Sequence, residues 1–141
     1  MRVLVLVKAD NTTEAGQLPS TEMLAEMNDF NEQLVNAGVM QMGEGLHPSA
    51  KGKRVRFSGK NPAVLDGPFP NAKDLVAGFW IWKVRSMDEA LEWVKRCPNP
   101  HVGDSEIEIR QIFETEDFGD VLTPEQRQQE NRLREQLSKQ K

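Results

Sequence analysis

Twice along this chain a short strand-like apolar run gives way to apolar residues at every third or fourth position, and then a strand-like pattern returns. That switch constrains the fold more than any other feature, because period two belongs to strands and period 3.6 to helices. "RVLVLVK" (2–8) is a short valine and leucine run, apolar on both faces as in a central strand covered on two sides. After the loop "ADNTTEAGQ", Leu24, Met27, Phe30, Leu34 and Ala37 recur at helical spacing. With Ser20 as N-cap and Gly38 as C′ residue, the spacing predicts a helix of about 17 residues. "VMQMGEG" (39–45) reads as a short strand, and "RVRFSGKNPAVL" as a hairpin turning at Ser58-Gly59-Lys60-Asn61. "AGFWIWKV" (77–84) is an aromatic strand. "SMDEALEWVKRC" follows as a second helix, with Ser86 and Glu89 as a capping box and Ala90, Leu91, Trp93, Val94 and Cys97 as its core stripe. Pro98 and Pro100 stop it, and "SEIEIRQIF" (105–113) alternates as a half-buried strand.

This order is the β-α-β-β-α-β split unit of the ferredoxin-like class, an α+β fold, here with an inserted hairpin. Residues 1–122 form that domain. Residues 123–141 form a polar helical extension, opened by Thr123 and Pro124, in which Leu133 and Leu137 are the apolar positions past that start. Such a sheet carries helices on one face, and a second copy of the chain is the expected cover for the other.

The charge balance narrows the partners. Lys and Arg number 18 against 22 Asp and Glu, a formal charge of −4, which argues against a general nucleic-acid binder. Residues 1–122 hold 13 basic and 19 acidic groups, a balance of −6; residues 123–141 hold 5 and 3, a balance of +2. One cysteine and two histidines supply no standard zinc set, and the chemistry considered below needs no cofactor. The apolar run before Lys8 is too short for a secretory segment, and nothing approaches the roughly 20 apolar residues of a membrane span, so a cytoplasmic protein is expected.

"GEGLHP" (43–48), "VRFSGKNPAVLDGPF" (55–69), "GFW" (78–80), "SMDEALEWVKRCP" (86–98) and "EIEIR" (106–110) together resemble the YCII-related family, in the branch named for its DGPF motif. The resemblance covers roughly residues 1 to 118. It implies a ferredoxin-like protomer whose sheets pack face to face in a dimeric α/β barrel, with a cleft between sheet and loops. The family's biochemistry is largely unassigned. Some relatives are treated as enzymes for a His–Asp pair in that cleft, and members of the DGPF branch are often encoded beside extracytoplasmic-function sigma factors. This chain departs from the pattern twice. Asn71, after Pro70, stands where relatives carry glutamate, and the first helix (19–37) holds no histidine.

Asp66 opens the stiff Gly67-Pro68-Phe69 turn, and it is either turn chemistry alone or a general base aimed into the cleft. His47, three residues after Glu44 in a glycine-flanked loop, is either a solvated histidine or its acid–base partner. Lys73 pairs with Asp66 or meets an anionic ligand. Trp80 and Trp82 share one strand face, where they wall a pocket or fill a dimer core. Glu108 and Arg110 share a face of the last strand, as an ion pair or a carboxylate-binding pair. The basic run Lys51, Lys53, Arg54, Arg56 and Lys60 reads as a solvated hairpin, His101 as solvent-exposed and Cys97 as core. Two functions remain open. One is a homodimer binding a small molecule at the DGPF turn, with acid–base catalysis by Asp66 and His47. The other is a regulatory protein bound to a sigma factor or another protein partner.

Overall fold

The computed structural model describes residues 1–140. Four strands form one antiparallel sheet: β1 (Arg2–Lys8), β2 (Met40–Gly45), β5 (Val76–Lys83) and β6 (Ile107–Gln111), in the order β2-β5-β1-β6. Helices α2 (Thr21–Asn36) and α3 (Met87–Lys95) connect β1 to β2 and β5 to β6. That connectivity and strand order are those of the ferredoxin-like fold. The hairpin β3 (Lys53–Arg56) and β4 (Ala63–Asp66) makes a separate two-stranded sheet, inserted between β2 and β5.

Alternation along the strands sorts the residues. Val3 and Val5 of β1 face Trp82 and Trp80 of β5 across the sheet, and all four are buried. They meet Phe30 and Leu34 of α2 and Ala90 of α3 in one apolar core. Phe30 sets its edge against Trp80, Trp82 and Trp93 at centroid distances of 6.0, 6.3 and 6.5 Å, an arrangement aromatic quadrupoles favour. The two tryptophans therefore fill the protomer's own helix-facing core, not a core between sheets of two copies. On the opposite, open face lie Leu4, Leu6, Phe79 and Ile81, which are only half-buried. The second face of β1 is thus less covered than its valine and leucine run suggests.

Ser20 accepts from the Met23 N–H at 3.1 Å, as expected, and Gly38 takes a positive φ just past α2. Ser86 accepts from the Glu89 N–H at 3.1 Å, but the Glu89 carboxylate takes the Arg85 N–H at 2.9 Å, so the expected capping box is only half formed. Two other local readings need correction. The stretch after β1 is not all loop: Asp10 caps a four-residue helix, α1 (Asn11–Glu14), through a capping box with Thr13. Leu91 is exposed, because α3 turns Ala90, Trp93, Val94 and Cys97 inward and Leu91 away.

The chain divides into two compact units, Met1–Gln111 and the segment from Ile112 onward. The second holds a 3₁₀ segment (Thr115–Val121), whose Phe118 stacks on the preceding Phe113 at 5.1 Å, and α4 (Pro124–Ser138), whose capping box joins Thr123 and Gln126. Leu133 and Leu137 of α4 are exposed.

Candidate functional site

A concavity of the first unit lies on the helix-facing side of the sheet, where α2 leans over β2 and β5. It encloses about 240 Å³. Met23, Leu24 and Met27 of α2 form one wall, and Val7, Pro19 and Pro100 close the end. The floor has almost no side chains. Gly43 and Gly45 of β2 and Gly78 of β5 lie beside Trp80. A methyl group on Gly43 would come within 2.6 Å of Trp80 Cδ1, and one on Gly78 within 3.1 Å of the Glu44 carbonyl; one on Gly45 would meet no atom within 4 Å, only the cleft.

A bulge in β2 puts the glycines there. Met40 pairs with Trp82 and packs on the core, but the register shifts between Met40 and Met42. Past the shift, Met42 and Glu44 pair with Ile81 and Phe79 on the open face, while Gly43 and Gly45 pair with Trp80 and Gly78. Unbroken alternation from Met40 would turn Met42 and Glu44 into the cleft; one inserted residue reverses every later position.

Polarity in the cleft is sparse and placed. Trp80 Nε1 donates to Asn31 Oδ1 at 2.9 Å. Because an indole nitrogen only donates, this bond fixes the amide's orientation and leaves Asn31 Nδ2 as a donor at the cleft wall.

The DGPF turn sits elsewhere, clasped to the segment after β2. Gly67 N–H donates to Gly52 O at 3.0 Å and Phe69 N–H to Ser49 Oγ at 3.0 Å. Ser49 in turn gives its hydroxyl and backbone N–H to the two carboxylate oxygens of Glu14. Arg54 lies over the Phe69 ring at 4.0 Å, and the Gly67–Pro68 bond is cis. Asp66 is paired with Lys53 at 2.5 Å, both exposed; Lys73, the partner considered from sequence, stands exposed in the following turn. Asn71 adopts φ 62, a left-handed conformation that Asn tolerates better than longer side chains do.

Of the residues singled out from sequence, Glu44 and Trp80 border the cleft, Glu44 through its backbone side of β2. Asp66, Gly67, Pro68 and Phe69 belong to the clasp, and His47 is exposed. Glu108 and Arg110 pair with each other at 3.3 Å on the open face, opposite Leu6 and Leu4. The Cys97 thiol is pushed up to about 11 by burial, as befits a core thiol.

His101 is the residue the sequence misplaced. It is buried, with Nε2 2.6 Å from the Lys8 carbonyl oxygen and Nδ1 3.3 Å from Asp10 Oδ2. A carbonyl only accepts, so Nε2 carries a proton there. With both nitrogens engaged, the ring is a latch tying its loop to the end of β1, and its neighbour Pro100 is thereby held at the cleft. The Asp10 carboxyl is held below the usual carboxylate range, first by the Thr13 N–H it accepts and further by His101, against a smaller effect of burial than the Thr13 bond.

An uncharacterized protein of Rhizobium meliloti (strain 1021) is 26% identical over 90 residues, 64% of this chain and 73% of that one. The solved 5-chloro-2-hydroxyhydroquinone dehydrochlorinase TftG of Burkholderia phenoliruptrix AC1100, in complex with 2,5-dihydroxybenzoquinone, is 17% identical with a TM-score of 0.47, covering 83% of this chain and 98% of that one. That likeness is too distant to transfer chemistry. The family model described as the YCII-related domain matches residues 1–116, and the chain belongs to that family.

Proposed function

We propose that this chain binds a small, mainly apolar molecule in the cleft between α2 and the β2–β5 pair. The observation that carries this is the glycine floor beside Trp80. Glycine weakens a strand; packing on Trp80 already requires Gly43, so Gly45 is the cost in β2 that close approach of a ligand to the backbone would explain. Gly45 faces open space, so no packing contact requires its missing side chain. Methionines on the facing helix suit an adaptable apolar wall. Asn31 Nδ2 gives the ligand one directed contact, to a carbonyl, hydroxyl or carboxylate oxygen.

Turnover by Asp66 and His47 is not part of this proposal. Asp66 already holds Lys53, and no hydrogen bond joins it to His47 among the described residues. The homodimer implied by the family resemblance enters as cover for the open sheet face, where Phe79 and Ile81 lie half-buried. Native mass spectrometry of the freshly purified protein tests binding: a bound mass of a few hundred daltons, absent from Gly45→Val, is expected. A bound mass that persists in Gly45→Val contradicts the assignment to this cleft.

A further inference from the structure

The β3–β4 hairpin has no packing role for most of its surface. Every residue of its two strands is exposed. Pairing of Val55 with Val64 and of Lys53 with Asp66 gives one face an apolar centre, which Phe57, 82% exposed, extends toward the turn. The other face carries Arg54, Arg56 and Leu65, with Arg54 occupied on Phe69. A two-stranded ribbon is marginal in water unless a surface covers it.

Its charge says what kind of surface. Residues 51–60 hold five cations and no acid, and only Lys53 has a carboxylate partner among the described residues. Outside residues 51–66 the chain holds 13 basic and 21 acidic groups, a balance of −8. Part of that excess is ordered. Helix α2 has no Lys or Arg, and Glu22, Glu26, Asp29 and Glu32 are all exposed. At about 100° per residue they fall within an arc of about 120°, turned away from the buried side of Phe30 and Leu34.

We propose that the β3–β4 hairpin is an interaction arm that docks on the acidic face of α2 in a second copy of this chain. Alternate arginines on a strand stand about 7 Å apart. Carboxylates one turn apart on a helix stand about 5–6 Å apart, so Arg56 and its neighbours can each reach one. Docking through the Arg56 face neutralises both partners, while the rest of each copy draws the arm in by its net negative charge; Val55, Phe57 and Val64 lie on the other face, clear of this contact. This contact is separate from the cleft and from the open sheet face.

A charge swap tests it, leaving Arg54 in place because it covers Phe69. Arg56→Glu/Lys60→Glu and Glu26→Lys/Asp29→Lys are made separately, then mixed, with circular dichroism checking each fold and Arg56→Gln/Lys60→Gln as a milder version. Each variant alone is expected to self-associate more weakly than wild type, and the wild-type contact to weaken as salt rises. In the mixture both contacts regain opposite charges, so the heteromer should exceed random pairing by about tenfold in native mass spectra. Random pairing, or variants that associate like wild type, overturns the proposal. So does a hairpin variant that loses binding to phosphatidylglycerol vesicles or to duplex DNA while its self-association is unchanged.

Discussion

The carbonyl oxygen of Ser49 occupies the place where a side chain on Gly67 would have to go: a Cβ there would lie 1.7 Å from it. The DGPF turn needs its glycine because another stretch of backbone passes against it. Gly67→Ala must push Ser49 away, and Ser49 is held by Glu14 and by the Phe69 N–H. The expected cost is about 1–3 kcal/mol, the range for forced overpacking. Urea unfolding measures it, and hydrogen exchange should quicken first over residues 49–69. Wild-type stability and exchange in Gly67→Ala would show that the clasp does not hold the turn.

The two core tryptophans should answer differently to the same substitution. Trp82 Nε1 is buried without a hydrogen-bond partner among the described residues, whereas Trp80 Nε1 donates to Asn31. Trp82→Phe discards an unsatisfied donor along with volume, while Trp80→Phe also strands the Asn31 oxygen. Trp80→Phe is expected to be the more destabilising by about 1 kcal/mol, read from denaturant midpoints. Equal losses would mean that the indole hydrogen bond contributes nothing.

Asp10 gives the acid dependence a sign. Its carboxyl binds a proton more weakly in the folded chain than in the unfolded one, because ionised oxygen accepts from Thr13 and faces His101. The stability this contributes is present above the unfolded value of about 3.9 and is lost as pH falls through the lower folded value. Asp10→Asn keeps a capping side chain but removes the charge. The variant is expected to lose less stability than wild type between about pH 6 and pH 3. Parallel curves for the two proteins would contradict the assignment.

Removal of residues 123–141 separates the cleft from the tail. Every residue lining the cleft belongs to the first compact unit. Ligand binding by the truncated chain should match wild type within about threefold, equivalent to about 0.6 kcal/mol. Loss of binding on truncation would point to the tail as part of the site.

The elements were legible in the sequence because their signals are local. Ser20, Gly38, Ser86 and Thr123 mark helix ends within a few residues, and the two periods identify what lies between. The cleft was not legible, for a non-local reason. Straight alternation in "VMQMGEG" sends Glu44 inward and the glycines out; the bulge near Met40 reverses this, and only pairing with β5 reveals it. His101 was read as solvated because its partners, Lys8 and Asp10, lie about ninety residues earlier. For the DGPF stretch the sequence leaves turn and site both open, and Ser49, which clasps it, carries no sign of that role.

Protein-observed nuclear magnetic resonance with a panel of small apolar fragments tests whether the glycine floor binds a ligand. The expected result is a cluster of shifts at the Gly43, Gly45 and Gly78 amides and at the Trp80 indole N–H, abolished in Gly45→Val, whose Cβ enters the cleft with no other atom within 4 Å. Fragments that leave these four signals unmoved, or that move them equally in Gly45→Val, would contradict it.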